Sequence, residues 1–252
     1  MTWQTLQEHE AHYLSFFRDD YRRKSLERLV RRFVMGHRVL DVRCLTGQLA
    51  VDLALAGLEV TGLDALPEAV AEANAYARRR GVPGELVKEW DLEHLTPAVD
   101  GHRFDTALCL DTINHVKDDN VLMGQLAQVL THGGRLVITA PAFPSLHGKR
   151  DHALGHLRRY TRGQFRALIE RHGFEVELLR PWNFAALPLY ALIEGALRRE
   201  VSEDLRHGRR GPINRVRNRL LRWWYTGVEN RLWFPLGLTW FVVAKKTRRN
   251  GV

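Results

Sequence analysis

Residues 38–64, RVLDVRCLTGQLAVDLALAGLEVTGLD, constrain the fold of this chain more than any other stretch. An apolar run (Val39, Leu40, Val42) predicts a buried strand, Arg43 to Gly47 a sharp turn, and the segment after it a helix closed by Gly57. A second short strand (Val60, Leu63) ends on Asp64, 23 residues after Asp41. A strand that hands over to a helix so abruptly aims the helix's first unpaired N–H groups at whatever lies beyond the strand. An acid closing the next strand is where paired ribose hydroxyls are gripped in a nucleoside-binding βαβ unit. The expectation is a parallel α/β sheet with a nucleoside-type ligand at its carboxyl rim.

The remaining pattern extends that sheet. Pro67 suits the first turn of an Ala-rich helix over 68–80, stopped by Gly81. A third strand is expected from Glu85 to Trp90, ending in Asp91 and Leu92, and a fourth from Phe104 to Leu110, ending in Asp111. A helix over about 118–131 leads through Gly133-Gly134 to a fifth strand, Arg135 to Ala140. Thr161 and Gln164 form a capping box for a helix carrying Phe165, Leu168 and Ile169, stopped by Gly173. Phe174, Val176 and Leu178 alternate as a sixth strand, and Thr239 to Ala244 reads as the last. Ahead of all this, residues 3–35 repeat apolar side chains at helical spacing, which suits a helix packed on the sheet or a lid bringing Tyr13 or Tyr21 to a ligand.

Composition narrows the partners. The net charge is +9, but residues 195–252 hold 14 Lys+Arg against 4 Asp+Glu, a surplus of +10, leaving −1 to residues 1–194. A uniformly basic nucleic-acid binder would look different, and nucleic acid ranks last among partners. The two cysteines, Cys44 and Cys109, fall at strand ends without a His/Cys cluster and are expected to be reduced core residues, with no metal. Neither a basic-then-apolar leader nor a bilayer-long apolar run is visible, so the expected location is cytoplasmic.

The turn Asp41, Val42, Arg43, Cys44, Leu45, Thr46, Gly47 is similar to motif I of class I S-adenosylmethionine (SAM)-dependent methyltransferases, D-x-G-x-G-x-G, with Arg43 and Leu45 at two of the three glycine places. FDTALCLDTINHV (104–116), THGGRLVITAPAF (131–143) and DHALGHLRRYT (151–161) resemble successive segments of the ubiquinone-biosynthesis-like small-molecule branch of that family. The resemblance covers roughly 36–185 and again 236–246. It implies a Rossmann-like, seven-stranded doubly wound sheet with an antiparallel last strand and a helical insertion before it. It also implies one methyltransferase domain over 1–252, with a helical lid (1–35), a SAM-binding core (36–181), a basic, Trp-rich insertion (182–236) and the last strand (237–246).

Each strand end then supplies a group suited to that cofactor. Asp41, Arg43, Leu45, Thr46 and Gly47 would lie beside its methionine portion. Asp64, with Ala65 next to it, faces the ribose hydroxyls. Asp91 and Leu92 face the adenine, and Leu110 and Asp111 close the sulfonium end. A side chain at a glycine place strains the turn or fills ligand space. Either Arg43 points away or pairs with the cofactor carboxylate, or SAM binding is impaired. Methyl transfer needs proximity, plus a general base when the acceptor is a hydroxyl. His115 leads as that base because imidazole titrates near neutrality, with His156 and His152 as rivals. Arg158, Arg159 and Tyr160 would hold an anionic substrate group or lock their loop.

The insertion holds Trp182, Trp223, Trp224 and Trp233 and, from Arg206 to Arg222, seven arginines and no acid. Ile213, Val216, Leu220, Trp223, Trp224 and Val228 are expected on one helical face against Arg215, Arg217, Arg219 and Arg222. Such a face suits either a substrate-covering subdomain or an anionic membrane surface. The expected function is methyl transfer to a small-molecule or lipid-like acceptor, to oxygen rather than nitrogen or carbon. The alternative is a non-catalytic module of the same fold. A nicotinamide dehydrogenase is disfavoured because G-x-G-x-x-G is missing.

Overall fold

A computed structural model describes residues 21–91, 94–95, 99, 101–192 and 212–247. Its centre is a seven-stranded sheet in which β1 (Arg38–Val42), β2 (Glu59–Asp64), β3 (Val87–Glu89), β4 (Phe104–Leu110), β5 (Leu130–Pro141), β6 (Phe174–Trp182) and β7 (Thr239–Lys246) are ordered 3-2-1-4-5-7-6. Strands β1 to β5 pair in parallel, and β7 runs antiparallel between β5 and β6. The order reverses between β1 and β4, and an open sheet of this kind receives ligands outside the carboxyl ends of the strands at that reversal.

Both sheet faces are covered, which is why the central strands read as continuous apolar runs. Leu40, Val42, Ala107, Cys109, Leu136 and Ile138 face α4 (Asp119–Val129) and, beyond the short α5 (Lys149–Ala153), α6 (Arg162–Arg171). Val39, Leu108, Val137, Phe241 and Val243 face Leu26, Leu29 and Val30 of α1 (Tyr21–Arg31) and Leu49 and Leu53 of α2 (Gln48–Leu55). Helix α3 (Pro67–Arg79) packs Ala73 and Ala77 onto Ala50, Val51 and Val87. Tyr13 and Leu92 lie outside the described residues, as does the side chain of Tyr21.

Three expected boundaries move, each for a local reason. Strand β3 is shorter than Glu85–Trp90 because buried Asn74 takes the Leu86 and Val87 amides on its Oδ1, both at 3.0 Å, and donates to the Val87 carbonyl at 2.7 Å. Helix α4 stops at Val129 rather than 131, and β5 opens at Leu130 rather than Arg135, since Leu130 is already extended. The pairing of β5 with β4 then shifts between Phe104↔Leu130 and Thr106↔Arg135. The extra residues fit there through Gly133, at φ 75°.

The insertion opens with the short α7 (Leu187–Tyr190) and closes with α8 (Pro212–Trp223) and a π-helical turn, Trp224–Glu229. A buried polar hub fastens it to α1 and β6. The Ser25 hydroxyl donates to the Tyr225 carbonyl (2.7 Å), Asn230 Nδ2 donates to the Ser25 carbonyl (2.7 Å), and Trp182 Nε1 donates to Asn230 Oδ1 (3.1 Å). The predicted single face of 213–228 splits in two. Leu221, Trp224 and Tyr225 turn inward, whereas Val216, Leu220 and Trp223 are about 60% exposed (61%, 60% and 62%).

Gly237 marks the tightest backbone approach beside this hub. A Cβ there would sit 2.3 Å from the Trp182 carbonyl oxygen. Gly237→Ala should therefore destabilise the protein by about 2–3 kcal/mol through overpacking. Urea denaturation checks this, and an unchanged midpoint would show that the segment yields freely.

Candidate active site at the carboxyl rim of the sheet

Five non-glycine residues adopt a left-handed backbone: Arg43 (φ 59°), Leu45 (53°), Asp111 (50°), Phe143 (61°) and Asn183 (68°). Among the described residues these are the only ones, and each lies within three residues of the carboxyl end of β1, β4, β5 or β6. Each costs roughly 1–2 kcal/mol against an ordinary conformation. Strain of this kind persists where the surroundings over-determine it, and it clusters at ligand sites.

The surroundings that impose it are visible. Asp64, 1% exposed, accepts the Leu45 amide at 2.8 Å and the Leu66 amide at 3.1 Å, which ties the turn after β1 to the end of β2. Leu45 packs on Leu66 and Ala69. The Gly47 amide donates to the Cys44 carbonyl at 3.0 Å, and a Cβ on Gly47, at φ 67°, would meet Ala73 at 2.7 Å. This last glycine of the turn is thus required, while the two earlier places tolerate Arg43 and Leu45 under strain. Thr112 Oγ1 donates to the Val42 carbonyl at 3.2 Å, joining the turns after β4 and β1. Thr139 on β5 takes the Asp111 amide at 2.9 Å and donates to its Oδ1 at 3.1 Å.

Arg43 does not point away. It is 8% exposed, and Nη1 donates to the Asp111 carbonyl at 3.3 Å. Its charge acts on Asp64, whose carboxyl burial nonetheless pushes up, and on His115, which burial and this guanidinium hold well below the usual imidazole range. Asp41 is buried beneath the turn. Burial raises its carboxyl to about 7 against the opposing charge of Arg23, which donates from α1 to the Cys44 carbonyl at 3.3 Å. Ala65 is half-buried beside Asp64, and Leu110 packs against the face that carries α1. Asp91 lies apart from this cluster, exposed and paired with His94 at 2.9 Å.

Two of the three histidines come together. The rings of His115 and His156 meet edge-on at 4.9 Å. His152 is exposed and stacks edge-on with His147 instead. His156 alone of the three is oriented by a carboxylate, its Nδ1 lying 2.9 Å from Asp151 Oδ1. Burial alone would raise Asp151, but His156 and Arg159 outweigh it and hold the acid at about 2, so it stays a carboxylate. Burial lowers His156 in turn, and Asp151 offsets part of that. Sequence reasoning missed Asp151 as the orienting group, although the spacing Asp151-x4-His156 was legible. Arg158, Arg159 and Tyr160 lock the loop. Arg158 donates to the Val116 (3.0 Å) and Lys117 (2.6 Å) carbonyls, Arg159 Nε donates to both oxygens of Asp151 (2.9 Å), and the Tyr160 hydroxyl donates to Asp119 (2.9 Å).

Four buried polar atoms at this rim have no hydrogen-bond partner among the described residues: Thr46 Oγ1, Asn114 Nδ2 and Oδ1, and His115 Nε2. Leaving such a group unpaired costs about 1–3 kcal/mol. Four of them in the turns after β1 and β4 fit a polar ligand seated there. Together with the acids Asp41, Asp64 and Asp111, they suit a cationic nucleoside better than a phosphate.

The chain resembles known methyltransferases in part of its sequence and in its fold. The family model described as a methyltransferase domain matches residues 40–138. Ubiquinone biosynthesis O-methyltransferases of Citrobacter koseri and Xanthomonas euvesicatoria are each 34% identical over 41% of this chain, covering 42% and 43% of their own lengths. The chain thus aligns over less than half the length of these curated relatives. A SAM-dependent methyltransferase of Thermotoga maritima, described as a possible histamine N-methyltransferase, shares the fold at a TM-score of 0.62 and 17% identity, over 97% of this chain and 99% of that one. The [4+2]-cyclase SpnF shares it at 0.55 and 20% identity, over 88% and 80%.

The raised Asp41 carboxyl makes a signed prediction. Its folded value of about 7 lies above the ordinary 3.8, so the folded protein keeps a proton that the unfolded chain releases. The stability this group lends is present below the unfolded value and is lost as pH climbs towards 7. Asp41→Asn should therefore gain stability relative to wild type between pH 5 and pH 8, as measured by urea melts across that range. Parallel curves for the two proteins would show that Asp41 is not held protonated.

Proposed function

We propose, from the match of residues 40–138 to a methyltransferase-domain model, that the chain transfers a methyl group from SAM to a hydroxyl of a small or amphiphilic acceptor. The observation that carries this reading is a carboxylate-oriented imidazole, His156, at the same rim as the strained turn and the orphaned polar atoms. SAM, when bound, supplies an electrophilic methyl on a sulfonium. Asp64 would hold the ribose hydroxyls, Thr46 and Gly47 the methionine side, and Asp111 with Leu110 the transfer end. Ala65 borders the ribose, and Asp91 would reach the adenine.

His156 is the base. With Nδ1–H donated to Asp151, the lone pair sits on Nε2, which takes the acceptor hydroxyl proton as the oxygen displaces the thioether. His115, held neutral by burial and Arg43, puts no second positive charge beside the imidazolium that forms. The choice of oxygen over nitrogen follows from the presence of this base, and the names of the ubiquinone relatives point the same way. A second reading, a module that binds without transferring, draws on the burial of Asp64 and Leu45, and a fold that also serves a cyclase leaves room for it.

The insertion supports a partner as well as a cover. Val216, Leu220 and Trp223 on α8, with Leu232, Trp233 and Leu236 after the π-turn, stand exposed beside exposed Arg219, Arg222 and Arg231. Trp with aliphatic residues among arginines suits the interface of an anionic membrane, from which a lipid-like acceptor would be drawn. None of the helices searched among the described residues is long and apolar enough to cross a bilayer, so the contact would be peripheral.

His156→Ala should cut turnover by about 10²–10⁴-fold while calorimetry shows SAM binding retained. Unchanged turnover would remove His156 from the mechanism. Asp151→Asn withdraws the group that raises His156, so the acid limb of the pH–rate profile should move to lower pH. For the membrane contact, vesicles rich in phosphatidylglycerol should retain the protein at low salt and lose it at high salt. Retention should fall at least tenfold in Trp223→Ser/Trp233→Ser, and equal retention of that variant would end the proposal.

A further inference from the structure

Three acids, Asp41, Asp64 and Asp111, crowd the ends of the adjacent strands β1, β2 and β4, and because Asp41 holds its proton up to about 7 the charge there rests chiefly on Asp64 and Asp111. Like charges so placed in a poorly solvated crevice require a counter-charge. Arg23 supplies one from α1 on the Asp41 side, and the turn itself brings a second. Arg43 stands at a glycine place in a left-handed conformation, is 8% exposed, and lays its guanidinium against the Asp111 carbonyl at 3.3 Å. From there its charge is felt both by the acid assigned to the ribose and by His115. The guanidinium therefore lies among the groups that would surround a bound sulfonium.

We infer that Arg43 is the site's internal counter-ion, holding the place of the sulfonium and thereby setting the preference between SAM and its demethylated product. The inference rests on the reading that SAM binds at this rim. SAM and S-adenosylhomocysteine share their adenosine, amine and carboxylate and differ by one methyl group and one positive charge. Both must displace the bulk of the Arg43 side chain, but only SAM brings a second cation beside it. The ratio of the two affinities therefore isolates the charge, whereas each affinity alone mixes charge with room.

Calorimetric titration of SAM and S-adenosylhomocysteine into wild type, Arg43→Gln, Arg43→Lys and Arg43→Gly tests this. Thermal unfolding of each variant serves as the control for folding. Arg43→Gln, which removes the charge and keeps most of the bulk, should shift the affinity ratio about tenfold toward SAM, equivalent to about 1.4 kcal/mol. Arg43→Lys should leave the ratio as in wild type. Arg43→Gly, which suits the left-handed backbone, should shift the ratio like glutamine and tighten both ligands. Equal tightening of both ligands by Arg43→Gln would make the residue a steric obstacle only and overturn the inference. Equal weakening of both would mean that Arg43 pairs with the carboxylate they share, and would overturn it too. If neither ligand binds wild type or any folded variant, the SAM reading itself fails, and the counter-ion role goes with it.

Discussion

The carboxylate of Asp64 carries the rim of this sheet. By accepting the Leu45 and Leu66 amides it closes the turn after β1 onto the end of β2, and it does so from a position almost wholly out of water. Two buried charge-assisted hydrogen bonds of this kind outweigh the strain of one left-handed leucine. They act with the packing of Leu45 on Leu66 and Ala69 and the Gly47–Cys44 hydrogen bond to hold Leu45 at φ 53° ahead of α2. The acid is thus committed twice, to the turn and to any ligand hydroxyl that comes to its remaining lone pairs.

A second set of constraints comes from the opposite side of the chain. Helix α1 and the insertion share one sheet face and are pinned together through Ser25, Asn230 and Trp182. Residues some 200 positions apart in sequence therefore form one layer. That layer also delivers Arg23 to the turn at Cys44, so the electrostatics of the first motif depend in part on a helix outside it.

Much of this was legible in the residues. The strands and the capping box at Thr161 follow from periodicity and turn chemistry, which are local, whereas the antiparallel last strand was implied by the family resemblance. Asn74 could not be read from sequence, because it shortens β3 through a contact made only once α3 has docked. The fate of the 213–228 stripe was likewise hidden. Val216, Leu220 and Trp223 share one side of the helix and stay outside, while Leu221 and Trp224, one position further on, turn inward, so periodicity marks two adjacent stripes and only packing decides which of them is covered. At the site, the strand-end acids were visible as acids. Which histidine would find a carboxylate was not, because His115 and His156 meet only across two turns that pack together.

Arg159 has a consequence beyond its own loop. Its guanidinium grips Asp151 on one side, while on the other it bonds the Tyr190 hydroxyl and lies 5.0 Å from the centre of that ring. Tyr190 ends the first helix of the insertion, and Asp151 steadies the imidazole of His156. A displacement of Tyr190 would thus be transmitted through Arg159 and Asp151 to the imidazole of His156, so the insertion and the rim of the sheet are mechanically one unit.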